Sequence, residues 1–166
     1  MIKRYLLPII LAVLLCSVSC KHKATGSEEP SPQFSNQLTE EEKTGGVMTP
    51  EILWKFSRLG TFALSPDGSE VAYSVTEIDM PTETRRTNIF KIPSSGGDAV
   101  QLTTDGGSSP QWFNNGKSIA FVKGGKMMTM NADGSEKQTI EGPDNFEYLN
   151  ISPSGNKVFF TRRVKL

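Results

Sequence analysis

The sequence has little of the chemistry on which most catalytic and metal sites depend. It contains two cysteines, Cys16 and Cys20, and a single histidine, His22. Its 18 basic and 18 acidic side chains cancel, so it lacks the excess of basic residues that nucleic-acid binding requires. We therefore expect no nucleic-acid partner, no metal site and no cofactor.

Long hydrophobic runs are also absent. The longest apolar run, residues 5–16, falls short of the roughly 20 residues that a membrane-spanning helix needs. Lys3 and Arg4 precede this run, and small residues follow it up to Cys20. This order is typical of a signal peptide, which we place at residues 1–19.

The end of this leader resembles a bacterial lipobox, in which cleavage leaves a cysteine at the new N-terminus for lipid attachment. Ser19 is a small residue of the expected kind, whereas Ser17 stands where leucine is usual. The resemblance implies a lipid on Cys20 and a location in the bacterial cell envelope, anchored to a membrane or periplasmic. Plain secretion and an uncleaved anchor are the alternatives. A disulfide is disfavoured because Cys16 would leave with the leader.

Residues 20–48 are polar and have no hydrophobic period, which predicts a disordered tether with a solvated acidic run at residues 40–42. Residues 49–60 then carry the signals of a short helix that packs on the following domain. Thr49 can cap it, Pro50 suits the first turn and Gly60 can end it. Its predicted apolar stripe consists of Ile52, Leu53, Phe56 and Leu59.

A hairpin pattern recurs three times in residues 61–166. When Gly68, Gly116 and Gly155 are aligned, apolar residues stand four positions before each glycine and three and five positions after it. Such a pattern predicts two strands joined by a tight turn, where glycine supplies the positive φ that hairpin turns require. Asp67 and Asn115 are residues that tolerate this geometry.

Two further short strands follow each of the first two hairpins, so each unit has four antiparallel strands. Units of this size are typical of β-propeller blades, which stack around an axis because one sheet cannot bury both faces. We predict an all-β, incomplete propeller of about two and a half blades, at residues 61–104, 108–141 and 147–166. A series of unrelated hairpins is the alternative. Since propellers close at about four to eight blades, we expect the beginning of a longer ring, or an open fan that needs a partner.

The segments SPDGSEVAYSV, SPSGNKVFFTR and NIFKIPSSGGDAVQLTTDGGSSPQW resemble blades of the prolyl oligopeptidase family, especially bacterial dipeptidyl peptidases and acylaminoacyl peptidases. MTPEILWKFSRLGTFALSPDG is similar to the segment that leads into their propeller. The resemblance covers residues 48–166. TolB-like propellers, which are not enzymes, share the Ser-Pro-Asp-Gly motif.

This resemblance implies a serine peptidase whose propeller admits short peptides to an α/β-hydrolase domain. That chemistry needs a Gly-x-Ser-x-Gly motif with an Asp and a His. The 166 residues contain no such motif, and His22 lies in the predicted tether. We therefore assign no catalytic residue and expect the chain alone to be inactive. A non-enzymatic, TolB-like lipoprotein that binds proteins at the envelope is the second hypothesis, and a truncated product without function is the third.

Three other groups of residues are candidate sites. Asp67, Asp105 and Asp133 each precede a glycine, which favours a role in turns over calcium binding. The methionines at positions 127, 128 and 130 are more typical of a strand in a core than of a soft-metal site. Arg85 and Arg86 fall in a predicted loop, where they could contact a peptide carboxylate or remain solvated charges.

Overall fold

The computed structural model describes residues 36–152, 156–162 and 164. The predicted signal peptide, Cys20 and His22 lie outside these residues. None of the helices formed by these residues has the length and hydrophobicity of a membrane span.

A short helix, α1 (Glu40–Thr44), lies in the segment predicted to be a tether. The difference arises from a reciprocal cap. The Thr39 hydroxyl accepts a hydrogen bond from the Glu42 backbone N–H at 3.2 Å, and the Glu42 carboxylate accepts one from the Thr39 N–H at 2.8 Å. Two otherwise unpaired backbone donors are thereby satisfied. Glu42 also pairs with Lys55 at 2.8 Å, so the acidic run is partly structural.

The second helix, α2 (Pro50–Lys55), is shorter than the predicted range of residues 49–60. Thr49 caps it and Pro50 occupies its first turn, but the backbone is extended at Phe56 and a strand begins at Arg58. Pairing of this strand with the next one decides where the helix ends. The predicted stripe does not form as one buried surface, since Leu59 is 68% exposed.

Ten strands follow. They are β1 (Arg58–Leu64), β2 (Glu70–Asp79), β3 (Thr84–Pro93), β4 (Val100–Gln101), β5 (Ser108–Phe113), β6 (Ser118–Lys123), β7 (Lys126–Asn131), β8 (Gln138–Thr139), β9 (Phe146–Ile151) and β10 (Val158–Arg162). They form antiparallel sheets in the orders β1-β2-β3-β4, β5-β6-β7-β8 and β9-β10. The predicted four-stranded units and the third hairpin are confirmed.

The turns between the first two strands of a sheet use the predicted glycines. Gly68 has a φ of +74° and Gly116 a φ of +81°, while Asn115 also adopts a positive φ of 54°. Gly155 lies outside the described residues. Asp67 acts differently from the prediction, through its side chain: the Ser65 hydroxyl donates to its carboxylate at 2.6 Å, and the Ser69 N–H donates at 3.1 Å.

The middle sheet packs on both of its neighbours. Ile119 and Phe121 belong to a core cluster that includes Ile89 of the first sheet, whereas Val122 belongs to a cluster that includes Leu149 of the third sheet. Because alternate residues of a strand point to opposite faces, β6 contributes to both clusters. The methionines of β7 line these cores as predicted, with Met130 2% exposed.

The first strands of the three sheets lie next to one another, with β5 in contact with both β1 and β9. The Trp112 indole on β5 donates to the Ala63 carbonyl on β1 at 3.0 Å, and the Ser109 hydroxyl donates to the Glu147 carbonyl on β9 at 3.4 Å. The short strands β4 and β8 lie at the opposite ends of their sheets. This is the radial order of propeller blades.

Candidate functional site

The first strands of the three sheets border a cleft, which we call the inner cleft. It consists of two adjoining cavities of about 540 and 530 Å³ that share Gly60, Thr61 and Tyr148 in their lining. These volumes lie within the range of roughly 300–1,000 Å³ that is usual for ligand pockets. Because β1, β5 and β9 all contribute to it, the cleft is a product of blade stacking.

A bulge interrupts each of the three first strands at an equivalent position. The register shifts between Leu59 and Phe62 in β1 and between Ser108 and Gln111 in β5. In the pairing of β9 with β10, Tyr148 lies opposite Thr161 and Phe146 opposite Arg162, so the register also shifts there. Counted back from the aligned turn glycine of each unit, the eighth residues are Gly60, Ser108 and Glu147, and the seventh are Thr61, Ser109 and Tyr148.

All six of these residues line the smaller cavity. Bulges turn side chains in new directions and are frequent next to functional sites. Here three copies of the same irregularity converge on one cavity.

Hydroxyl groups dominate this cavity, which we call the hydroxyl cavity. They belong to Thr61, Ser74, Thr76, Thr87, Ser108 and Ser109. The Thr76 and Thr87 hydroxyls lie 2.8 Å apart across the β2–β3 pair, and the Ser74 hydroxyl donates to the Thr61 carbonyl at 3.3 Å. Hydroxyls both donate and accept hydrogen bonds, so this wall suits a partner that carries amides.

Ser109 stands at the centre of the bulge in β5. It is only 3% exposed and has a φ of 51°, a left-handed conformation that is uncommon for residues with a side chain. Its hydroxyl donates a hydrogen bond to the Glu147 carbonyl of the next blade, so the residue with the strained backbone also makes a contact between blades. The bulge is therefore tied to the packing of two blades.

Aromatic rings dominate the larger cavity, which we call the aromatic cavity. Phe62, Tyr148, Phe159 and Phe160 line it, together with the amides of Gln111 and Asn150. Phe62 is 69% exposed, Phe159 64% and Tyr148 59%. The Phe160 ring is held by Phe146, with ring centroids 4.5 Å apart. Among the described residues that line this cavity, none has a charged side chain.

The two arginines considered as peptide contacts do not lie in a loop. Strands β2 and β3 extend through the predicted loop to Asp79 and Thr84, so Arg85 and Arg86 are strand residues opposite Ile78 and Glu77. The long strand pairing continues because Thr and Ile residues on both strands favour extended backbone. Neither arginine lines the inner cleft, although the next residue, Thr87, does.

The three Asp-Gly sites lie in different parts of the structure. Asp67 and Asp133 accept hydrogen bonds within turns, and Asp105 forms an ion pair with Lys123. The pKa of Asp67 is lowered to about 2, chiefly because the Ser65 hydroxyl and then Ser69 donate to its carboxylate. The pKa of Asp133 is lowered by Ser135, and that of Asp105 by its pairing with Lys123. Residues 36–152, 156–162 and 164 contain no group of three or more His, Cys, Asp or Glu placed to hold a metal.

Sequence reasoning did not single out the lining of the inner cleft. The sequence does contain a signal for this lining. When the alignment of the three units is extended upstream, the positions equivalent to Gly60 and to Thr61 are mostly polar. The bulges were not visible, since a bulge changes which residues face each other without changing residue types.

These features define the fold as part of a β-propeller, with two four-stranded blades and a third sheet of two described strands arranged around their first strands. No family model matches the sequence. The chain is homologous to Dipeptidyl-peptidase 5 of Porphyromonas endodontalis, with 30% identity over 171 residues that cover 99% of this chain and 23% of that protein. Dipeptidyl-peptidase 5 of Porphyromonas gingivalis is 35% identical over 88 residues, covering 51% of this chain and 13% of that protein. The chain thus spans less than a quarter of the length of either relative.

Three solved structures share the fold. The acylaminoacyl peptidase of Pyrococcus horikoshii superposes with a TM-score of 0.55 and 16% identity, over 65% of this chain and 17% of that one. A TolB-type protein from Agrobacterium tumefaciens has a TM-score of 0.50 and 22% identity, over 63% and 38%. The β-propeller domain of the Trilobed protease from Pyrococcus furiosus has a TM-score of 0.50 and 17% identity, over 64% and 34%. Likeness at this identity shows the fold alone, and the predicted resemblance to peptidase and TolB-like propellers is confirmed.

Proposed function

We propose that this chain forms the propeller part of a lipid-anchored serine peptidase of the prolyl oligopeptidase family. In this role the blades admit short, extended peptides to a hydrolase domain and exclude folded proteins. The observation that carries the proposal is the alignment with Dipeptidyl-peptidase 5, which runs through 99% of this chain. The blade geometry around the inner cleft supports it, because the aligned region folds into antiparallel sheets whose first strands lie next to one another.

The proposal is tested by exchanging the aligned region between the two proteins. Residues 36–162 of this chain replace the matching region of Dipeptidyl-peptidase 5 from Porphyromonas endodontalis. We expect the chimera to release dipeptides from short peptides and to leave a folded protein uncleaved. A control chimera carries Trp112→Ala, which removes a link between the first two blades, and should lose this selectivity or its stability. A folded chimera without dipeptide release would contradict the proposal.

The reading frame beyond the codon for Leu166 gives a second, independent test. A frame that continues into further blades and a Gly-x-Ser-x-Gly motif supports the peptidase. A frame with further blades and then a stop favours the alternative, a TolB-like propeller lipoprotein that mediates protein interactions.

We further propose that Cys20 carries the lipid that holds the protein at the cell envelope. The small residues before it and the apolar leader support this assignment. Mass spectrometry of the processed N-terminus should find acyl chains on Cys20, and Cys20→Ala should move the protein from the membrane fraction to the soluble one. An unmodified Cys20 in the membrane fraction would contradict it.

A further inference from the structure

We propose that residues 36–48 form a detachable strap, which sets the length of the tether between the first blade and the lipid proposed on Cys20. When the strap is docked, it holds the start of the blades close to the lipid, and when it is released, its residues add to the tether. The inference rests on the proposed function only for the lipid, because the docking contacts lie within the described residues.

Side chains join the strap to the elements that follow it. Both oxygens of the Glu42 carboxylate accept hydrogen bonds from the Lys55 ammonium of α2 at 2.8 Å. The Asn36 amide donates to the Ile78 carbonyl of β2, also at 2.8 Å. These bonds connect positions 13 and 42 residues apart in the sequence, so they fix the strap to the fold rather than to its own neighbours.

The contact of Asn36 fills a place at the end of the first sheet. Pairing of β1 with β2 begins at Arg58 opposite Thr76, whereas β2 continues to Asp79. The Ile78 carbonyl therefore lies beyond β1, where the edge of β2 has no neighbouring strand to pair with its backbone. The Asn36 side chain supplies a donor there, which gives the strap a defined docking position.

The docked state is held weakly enough to be reversible. No residue of α1 is buried, and a helix of five residues is not stable by itself in water. The cavity between the strap and α2, about 390 Å³ in volume, leaves Val47 72% and Met48 61% exposed, so few apolar contacts hold the strap. Glu42 belongs both to the helix cap and to the pair with Lys55, so loss of the pair weakens the helix and the docking together. Such segments open locally while the rest of a fold stays closed.

Release changes how far the blades can stand from the lipid. With the strap docked, residues 21–35 link Cys20 to the fold, and an extended chain of this length spans at most about 50 Å. With the strap released, residues 21–48 form the link and span at most about 100 Å. Release ends there because Thr49 caps α2 independently of the strap. The reach of the blades from the membrane therefore about doubles.

The first test measures docking in the full 166-residue chain. Lys55→Met removes the ammonium group and keeps most of the length of the side chain. The heteronuclear NOE of the Glu42 and Gly45 amides reports their motion on the picosecond to nanosecond scale. We expect values like those of β6 in the parent chain and in Lys55→Arg, and values at least about twofold lower in Lys55→Met. The urea midpoint of the blades should not change, because no residue of α1 is buried.

Two further variants separate docking from a general effect of charge. Lys91→Met is the matched control, because Lys91 and Glu70 form a pair of similar length and exposure within the first sheet, at 2.9 Å. This control should leave the strap amides unchanged. Asn36→Ala should release the strap as Lys55→Met does, and the double variant should show no further decrease. Docking is overturned if the strap amides of the parent chain are already mobile, if Lys55→Met leaves them ordered, or if Lys91→Met releases them equally.

The second test measures the length of the tether in the processed protein bound to phosphatidylcholine vesicles. A dye on Val100→Cys, at a position that is 51% exposed on β4, transfers energy to an acceptor in the lipid headgroups. Because transfer falls with distance, it should be weaker for Lys55→Met than for the parent chain and unchanged for Lys91→Met. Equal transfer in Lys55→Met and the parent chain would overturn the effect on length.

Failure of the strap can be told apart from failure of the proposed lipid. Release of the strap amides by Lys55→Met, together with an unmodified Cys20, would keep the docking and reject the lipid and its effect on length. Acyl chains on Cys20, together with strap amides that Lys55→Met leaves ordered, would do the reverse.

Discussion

Gly107 illustrates how a single residue is fixed by packing between blades. A Cβ atom at this position would lie 2.9 Å from Ile89 Cδ1 and 3.2 Å from Phe121 Cδ2, and both side chains are fully buried. Gly107→Ala should therefore lower the free energy of unfolding by about 1–3 kcal/mol through overpacking. Urea denaturation measures this change.

Gly142→Ala is the matched control for this prediction. A Cβ atom at Gly142 would meet nothing within 4 Å, so the substitution should change stability by less than about 0.5 kcal/mol. Equal urea midpoints for the two alanine variants would show that the interface between the first two sheets can relax around the extra methyl group.

Asp67 makes the first turn sensitive to acid. Its pKa falls from 3.8 to about 2 in the folded chain because Ser65 and Ser69 donate hydrogen bonds to the carboxylate. A folded-state pKa below the unfolded value means that the contribution is fully present above about pH 4 and is lost as the pH falls through 2. The difference in urea midpoint between the parent chain and Asp67→Asn should therefore shrink between pH 5 and pH 2. A difference that stays constant over this range would contradict the assignment.

At the scale of strands and helices, individual contacts between different elements stabilise the fold. The Trp112 indole is the clearest case, because it is 8% exposed and donates to the Ala63 carbonyl of the neighbouring sheet. Trp112→Phe leaves this carbonyl without its donor and a small gap in the core, so we expect a loss of about 1–3 kcal/mol. Thermal and urea unfolding measure it.

Trp54→Phe serves as the comparison for the indole. Trp54 lies on α2, where its ring contacts the Arg58 guanidinium at 4.5 Å, a contact that phenylalanine can partly keep. The loss should be clearly smaller than for Trp112→Phe. If both variants lose the same stability, the bond between the blades contributes little.

At the scale of the whole molecule, stability should decrease from the middle sheet toward the third one. The four central residues of β6 are buried, whereas all five residues of β10 are exposed. Amide hydrogen exchange depends on local opening, so β6 should exchange slowest and β10 fastest, by several orders of magnitude. Mass spectrometry of peptide fragments resolves the two strands. Equal protection would mean that the three sheets unfold as one unit.

Much of the architecture could be predicted because blades are local structures. The strands of a blade are neighbours in the sequence, so alternating residues and turn glycines such as Gly68 and Gly116 are sufficient to predict them. The helix at residues 40–44 was not predicted from the sequence, because its residues are polar and its stability depends on the Thr39–Glu42 cap and on Lys55. The strand position of Arg85 was missed because polar strands lack the apolar alternation on which the prediction relied.

The sequence by itself determined the four-stranded units, their order and the resemblance to peptidase propellers, since each follows from residues close together in the chain. Only the tertiary structure decided that Thr61, Ser109 and Tyr148 line one cleft. These residues come from three blades, and their meeting depends on strand bulges and on the packing of neighbouring sheets. The alternation of apolar and polar residues along a single strand predicts neither the bulges nor the packing of neighbouring sheets, because both arise from the way the blades stack against one another.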